Sequence, residues 1–406
     1  MKNERSSSRR NFLKTTTAAM AAVALSTTGG CSQQEERAAK NRKIVYRQLG
    51  RTGLELPVVS MGSCYAINLV QAALAEGIVY IHTSSGYSGN NHERLLGKVF
   101  QGRPRDSFVV ATSPDLPYRY DRARDRSHGL GKQINPALII ESMEGSLRRL
   151  GLDHVDIYYL TSVSSPEVVL HEPYLEAFDR LKKSGMTRFV GIGTHENEPE
   201  VIRAATRSGF WDVVLTAFNF RQSHRAEIQA AMREASAAGV GVVAMKTQAG
   251  VFWDRDRKHK INMKAALKWA LQEECVHTSI PAFSNFTEME DDLAIMEDLT
   301  LTVQEQRDLE RGDELGCSGL FCQQCGHCLA QCPAEMDIPT LMRSYMYAFA
   351  HQQPKKARAT LRNWSPSDVA CDSCGECCVR CSLGFDVRSR VLEIAPILAV
   401  PETFLG

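Results

Sequence analysis

Gly77-Ile78-Val79-Tyr80-Ile81-His82-Thr83-Ser84-Ser85-Gly86-Tyr87 holds a short apolar run, Tyr80–Thr83, that ends in small polar residues. Helical periodicity follows over His92–Phe100. This is the pattern of a buried parallel strand feeding a helix. The same unit recurs on both sides. Further strands are expected at Val58–Met61, Phe108–Thr112, Asp156–Leu160, Phe189–Gly193, Val213–Thr216, Val240–Met245 and Thr278–Pro281. Helices are expected at Val70–Glu76, Pro136–Leu150, Tyr174–Ser184, Pro199–Ser208, Arg225–Ala238, Asn262–Leu271 and Glu288–Leu299. Eight βα units over about 250 residues predict a TIM (β/α)8 barrel, an α/β fold whose chemistry sits where the strands end. A doubly wound open sheet is the alternative, but it usually offers a Gly-rich first turn, and no G-x-G-x-x-G occurs.

The whole chain has 406 residues, enough for two to three domains. Its composition is that of a globular protein, with 43% apolar and 23% charged residues. Lys and Arg number 48 against 47 acids, so no overall field recruits nucleic acid. The unusual feature is 13 Cys, ten of them between Cys317 and Cys381.

The barrel stretch resembles the aldo/keto reductases. Tyr46-Arg47-Gln48-Leu49-Gly50-Arg51-Thr52-Gly53-Leu54 is similar to that family's opening hairpin. The stretch from Gly77 to Tyr87, followed by Glu93, Leu96 and Gly97, is similar to its second strand, catalytic loop and helix. Asp156–Leu160, Val190–His195, Val243–Lys246 and Ser279–Pro281 continue the match in order. The resemblance implies a catalytic Asp, Tyr, Lys and His, in which Tyr donates a proton to a carbonyl while NADPH delivers hydride. Lys and Asp lower the Tyr pKa, because a phenol near 10 is a poor acid–base at pH 7. Carried over position by position, Tyr87 matches the Tyr, but His82 stands for the Asp, Ser113 for the Lys and Thr161 for the His. Tyr87 therefore lacks an ammonium from the expected position, and His82, as a group that ordinarily titrates near neutrality, is the other candidate for acid–base work. Lys246 and Asn219 match cofactor-binding positions. The segment after the eighth strand reads Ile280-Pro281-Ala282-Phe283-Ser284-Asn285 and then Glu290-Asp291-Asp292. Acids there would repel an adenosine 2′-phosphate, which argues against NADP(H).

The second motif is Cys322-x-x-Cys325-x-x-Cys328-x-x-x-Cys332-Pro333, followed by Cys371-x-x-Cys374-x-x-Cys377-x-x-x-Cys381. Triplets at this pitch suit 4Fe–4S clusters, whereas structural zinc favours separated C-x-x-C pairs. Two runs predict two clusters. In the two-cluster ferredoxins that this segment resembles, the fourth Cys serves the other cluster. The resemblance therefore implies Cys322, Cys325, Cys328 and Cys381 for one, and Cys371, Cys374, Cys377 and Cys332 for the second. Cys378 adjoins the triplet, but the spacing to Cys381 favours Cys377. Cys317, Cys64 and Cys275 are expected to be non-ligands. Ile338–Ala350 reads as an amphipathic helix, Gln352–Ala359 as a polar, basic connector, and Val387–Leu398 as a closing helix.

At the start, Ser8-Arg9-Arg10-Asn11-Phe12-Leu13-Lys14 precedes a mild apolar run, the pattern of a twin-arginine export signal. Gly29-Gly30-Cys31 resembles a lipobox, which implies a membrane tether through a lipidated Cys31. The expected organisation is a signal over 1–31, a tether over 32–43, the barrel over 44–300, a linker helix over 301–316 and an iron–sulfur domain over 317–400. Together these predict a periplasmic or cell-envelope iron–sulfur oxidoreductase with a redox partner protein or a small-molecule substrate. The alternatives are a non-catalytic electron carrier with a pseudoenzyme barrel and an NADPH-dependent carbonyl reductase. Gln304–Leu315 is expected to carry the chain back to the barrel mouth.

Overall fold

The computed structural model describes residues 44–88, 90–116, 134–315, 319–362 and 364–405. The export signal, Cys31 and Cys317 lie outside the described residues. A hairpin comes first, with β1 (Tyr46–Gln48) antiparallel to β2 (Glu55–Pro57). Seven parallel strands follow in sequence order: β3 (Tyr80–His82), β4 (Val109–Thr112), β5 (Val155–Leu160), β6 (Thr187–Thr194), β7 (Val213–Ala217), β8 (Gly241–Met245) and β9 (Thr278–Ser279). The expected first strand, Val58–Met61, makes only two isolated bridges. They are parallel and lie at opposite edges of the sheet: Val59 pairs with Ser279, and Met61 with Ile81. The segment thus joins the last strand to the first and closes a TIM-like barrel. It stays irregular because only alternate residues find a ladder partner.

The barrel is packed, not hollow. Tyr80, Ala111, Ile157, Tyr159, Val213, Leu215, Val243 and Met245 form its inner core. Leu49 and Leu56 of the hairpin join that core, and Arg51 N–H donates to Gly239 O at 2.6 Å, so the hairpin plugs the barrel at the N-terminal ends of the strands. Outside the strands, helices bury their apolar faces in a second, larger core. Helix Asn91–Phe100 approaches Ala137–Leu150 closely at Gly97, where a Cβ would lie 2.5 Å from Arg149 O. Beside it, buried Glu93 accepts from Arg149 Nε at 2.6 Å and from Thr112 Oγ1 at 2.7 Å. Among the described residues no helix is long and apolar enough to cross a membrane.

The C-terminal segment has its own core, built from Leu320, Phe321, Met336, Leu341, Met342, Tyr345, Leu361, Val391 and neighbours. Helix Val303–Glu314 leads into it and packs so tightly that a Cβ on Gly312 would strike the Trp253 ring. The expected helix over Ile338–Ala350 is α-helical only to Tyr345 and continues as a π-turn, Met346–Ala350. The expected connector over Gln352–Ala359 is instead a helix, Pro354–Thr360, started by a proline whose missing N–H costs nothing at that position. The closing helix is α-helical over Val387–Ile394 and turns 3-10 over Ala395–Ala399.

Candidate functional site

Side chains on a strand alternate between faces, so a residue two past an inward one also points inward. Tyr80 and Tyr159 meet inside the barrel with hydroxyls 3.2 Å apart. Two residues on, His82 and Thr161 occupy the next layer toward the mouth. Ser113 follows inward-facing Ala111 in the same way. A Cβ on Gly191 would strike Tyr159, so Gly193 and His195 belong to this face too. The positions that resemble the family's Asp, Lys and His thus share one layer, holding His82, Ser113 and Thr161.

His82 is buried, and its ring lies 5.6 Å from that of Tyr159 and 6.2 Å from that of Tyr87. The two candidates are therefore brought together. However, burial, with His92 and Lys246 nearby, pushes the His82 imidazole down to about 3. It is neutral at pH 7, and the expectation that it titrates near neutrality is corrected. Neither ring nitrogen has a hydrogen-bond partner among the described residues. His92 is instead structural: Nδ1 meets Thr83 Oγ1 at 2.7 Å and Nε2 meets Cys64 O at 2.9 Å. Cys64 is buried, and burial raises its thiol pKa, as for Cys275 at about 11.

Lys246 and Asn219 are also adjacent. Lys246 follows β8 with φ of +59°, and Asn219 Nδ2 donates to its carbonyl at 3.1 Å, holding that left-handed turn. Asn219 is otherwise spent on its own loop, accepting from Arg221 N at 3.0 Å. Lys246 Nζ donates to Tyr347 Oη at 3.0 Å. Tyr347 belongs to the C-terminal π-turn, so the tail lies on the barrel mouth. Further contacts agree: Arg362 clasps Asp115 at 2.9 Å, Arg255 pairs with Glu393, and Ser223 N donates to Gln323 Oε1 at 3.1 Å.

The tail therefore adds groups to the mouth that the sequence reading did not assign. Lys356 Nζ lies 4.5 Å from the Tyr347 ring centre, and Arg343 also faces this tyrosine. Burial alone would raise the Tyr347 pKa, but Lys246, Lys356 and Arg343 outweigh it and bring the phenol down to about 7. The His351 ring, 5.9 Å from Tyr347, is held at about 3 by burial with Lys246 and Lys356, and His195 is likewise lowered. Burial lowers Lys356 itself and pushes the Glu196 carboxyl up to about 9. Arg343 on the helix and Tyr347 in the π-turn that continues it stand four apart, a spacing that could have signalled a polar face beside the apolar stripe.

The cysteines fall into two sets. Cys381 is an electrostatic neighbour of Cys322 and Cys328, with Cys325 in the same group. Cys332 stands with Cys371, Cys374 and Cys377. This second set walls a small pocket with Pro333, Met336, Ile338, Val379 and Val387. Burial and neighbouring sulfurs push Cys322 up to about 12 and Cys371 to about 11. Cys378 also touches the cavity, but its thiol points to Gln331 O at 3.1 Å. Among the described residues no three of His, Cys, Asp or Glu converge to hold a single metal ion.

The segment after β9 is occupied by its own contacts. Asn285 caps helix Phe286–Ala294, and Gln248 Nε2 donates to buried Asp292 at 3.1 Å, whose carboxyl burial raises to about 8.

Several known proteins resemble this chain. L-galactose dehydrogenase of Arabidopsis thaliana is 32% identical over 166 residues, 37% of this chain and 48% of that protein. NADH-specific methylglyoxal reductase of Escherichia coli is 28% identical over 157 residues, 35% and 44% of the two chains. The chain spans about half the length of the curated relatives it matches. Among solved structures, the holo form of an aldo-keto reductase from Bacillus halodurans aligns with a TM-score of 0.51 at 21% identity, over 66% of this chain and 96% of that one. A thermostable aldo-keto reductase bound to the inhibitor epalrestat gives 0.51 at 20% identity, over 66% and 100%. These likenesses carry the fold alone. The model of the aldo/keto reductase family, however, matches residues 59–265, just over half of the sequence. On that match, the chain belongs to the aldo/keto reductase family.

Proposed function

We propose that this protein is an exported iron–sulfur oxidoreductase whose reaction site is the barrel mouth and whose tail holds two 4Fe–4S clusters. One observation carries the reading. The fourth cysteine of each run lies with the triplet of the other run, Cys381 with Cys322, Cys325 and Cys328, and Cys332 with Cys371, Cys374 and Cys377. The residues suit the group. Crowded, buried thiols resist ionising unless a cationic core binds them as thiolates, and the second set surrounds a cavity instead of a point. When bound, such clusters supply one-electron transfer. Arg388 donates to the carbonyls of Cys371 and Cys374 at 3.3 and 3.1 Å and fixes that loop. Gln323 ties the first set to the barrel, accepting from Ser223 and donating to Ser382 at 3.2 Å. The twin-arginine pattern and Cys31 belong to this reading as the means of export and tethering. Anaerobic purification with iron and sulfide analysis tests it. About eight irons per chain are expected; stoichiometric zinc, or iron near four, would sink the two-cluster assignment.

A second reading is nicotinamide-dependent carbonyl reduction, favoured by relatives named for a dehydrogenase and an NADH-specific reductase. Against it stand Ser113 and Thr161 at the expected Lys and His positions, and Lys246, whose ammonium is engaged by Tyr347. The cluster-loaded protein is expected to show no appreciable NADPH-dependent reduction of common aldehydes. Turnover abolished by Tyr87→Phe would establish the second reading instead.

A further inference from the structure

Two kinds of group meet where the tail covers the barrel. Lys246, Lys356 and Arg343 supply positive charge around one phenol. His82 and His195, neutral at pH 7, supply uncharged imidazoles on the inward face just below. His82 is 3% exposed and leaves both ring nitrogens unpaired among the described residues. A buried polar group without a partner is destabilising, so it marks a place where a ligand atom completes the bonding. Lys246 lowers the His82 pKa and Lys356 lowers that of His195, so the imidazoles lie within electrostatic reach of the cations.

We propose that this junction binds a small organic carboxylate bearing a neighbouring carbonyl or hydroxyl oxygen, and that Tyr347, though supplied by the tail, donates the hydrogen bond that this oxygen accepts. The cations take the carboxylate. Tyr347 and His82 take the uncharged oxygen. The Tyr347 O–H bond stays intact in the complex, and the Lys246 ammonium beside it makes the phenol a stronger donor. Tyr347 thereby offers the ligand the phenol that the resemblance places at Tyr87, with Lys246 replacing the ammonium missing at Ser113. The groups facing Tyr347 are Lys246 from the barrel, Arg343 and His351 from its own helix and turn, and Lys356 from the next helix. With the phenol near 7, the proton it donates is present below that pH and lost above it.

The proposal rests on the mouth being the reaction site, not on the clusters. Calorimetry on the intact protein, with pyruvate and acetate as probes between pH 6 and 8, tests it. Acetate matches the charge and lacks the second oxygen. Pyruvate is expected to bind at least tenfold tighter than acetate at pH 6.5. Its affinity should fall roughly tenfold per pH unit above about 7, as the phenol that must donate is lost. Tyr347→Phe should abolish that pH dependence and narrow the gap between the probes. Lys356→Met should weaken both probes tenfold or more, and Lys356→Arg should restore them. Equal binding of the two probes, no binding of pyruvate, a pH dependence that survives Tyr347→Phe, or wild-type affinity in Lys356→Met overturns the proposal. Iron is measured on the same preparations. Pyruvate binding without iron fails the cluster reading alone, and iron without pyruvate binding fails this one alone.

Discussion

His82 shows how far a single residue can be read. Its place at the end of the first long apolar run was legible, because strand alternation fixes its face and the family resemblance fixes its position. Its chemistry was not, because a pKa depends on what covers the mouth, and the cover comes from more than 250 residues away. The consequence is measurable in acid. His82 and His351 are held at about 3 and His92 at about 4, against about 6.5 unfolded. Below pH 6.5 the unfolded chain takes up protons that the fold refuses. Stability is therefore full above 6.5 and falls as pH drops toward 3–4, by about 1.4 kcal/mol per pH unit for each such imidazole. His82→Leu should shallow this slope. It should also stabilise the protein at pH 7 by about 1 kcal/mol or more, since it removes an unpaired buried group. Thermal unfolding at pH 5 and 7 checks both; a variant less stable than its parent at pH 7 contradicts the account.

Elements were legible wherever one face was strongly apolar. Most strands and helices of the barrel start and end within three residues of expectation, but the helix expected over Glu288–Leu299 spans Phe286–Ala294. Two segments depart further. Val58–Met61 is apolar enough for a strand but bridges two edges and completes neither ladder. Pro354–Thr360 has too little apolar surface to be read as a helix, since much of what it contributes is Lys356 over Tyr347. Helix Val303–Glu314 carries the chain back toward the mouth as expected, but its decisive residue is an unremarkable glycine. Gly312→Ala would press a methyl into the Trp253 ring and cost about 1–3 kcal/mol. Earlier proteolysis of the tail, with the barrel left intact, would report it. Among the cysteines, Cys378→Ala should leave the iron content unchanged, because its thiol is spent on Gln331 O. Cys381→Ala should lower it. Equal loss from both would move the ligand assignment to Cys378.

At the scale of the molecule, the barrel's closed end and its covered end are made differently. The hairpin seals the bottom with Leu49 and Leu56, an apolar plug continuous with the inner core. The tail seals the top with polar and ionic contacts, Lys246 to Tyr347, Arg362 to Asp115, Arg255 to Glu393 and Ser223 to Gln323, beside an apolar seam at Phe220 and Ala249. Ionic contacts that are partly exposed weaken with salt, whereas an apolar plug does not. High salt is therefore expected to speed backbone hydrogen exchange at Tyr347–Lys356 while leaving Leu49–Leu56 unaffected; equal change at both ends would contradict this. The interleaving of the two cysteine runs has a further consequence, for the order of assembly. Neither set of four can be complete until the chain has doubled back and laid 371–381 against 322–332. The tail therefore has no half-built stage at which one set is finished and waits for the other. Both sets are completed by the same long-range closure, so damage to either triplet should leave the whole tail unclosed and strip the mouth of Tyr347 and Lys356 together.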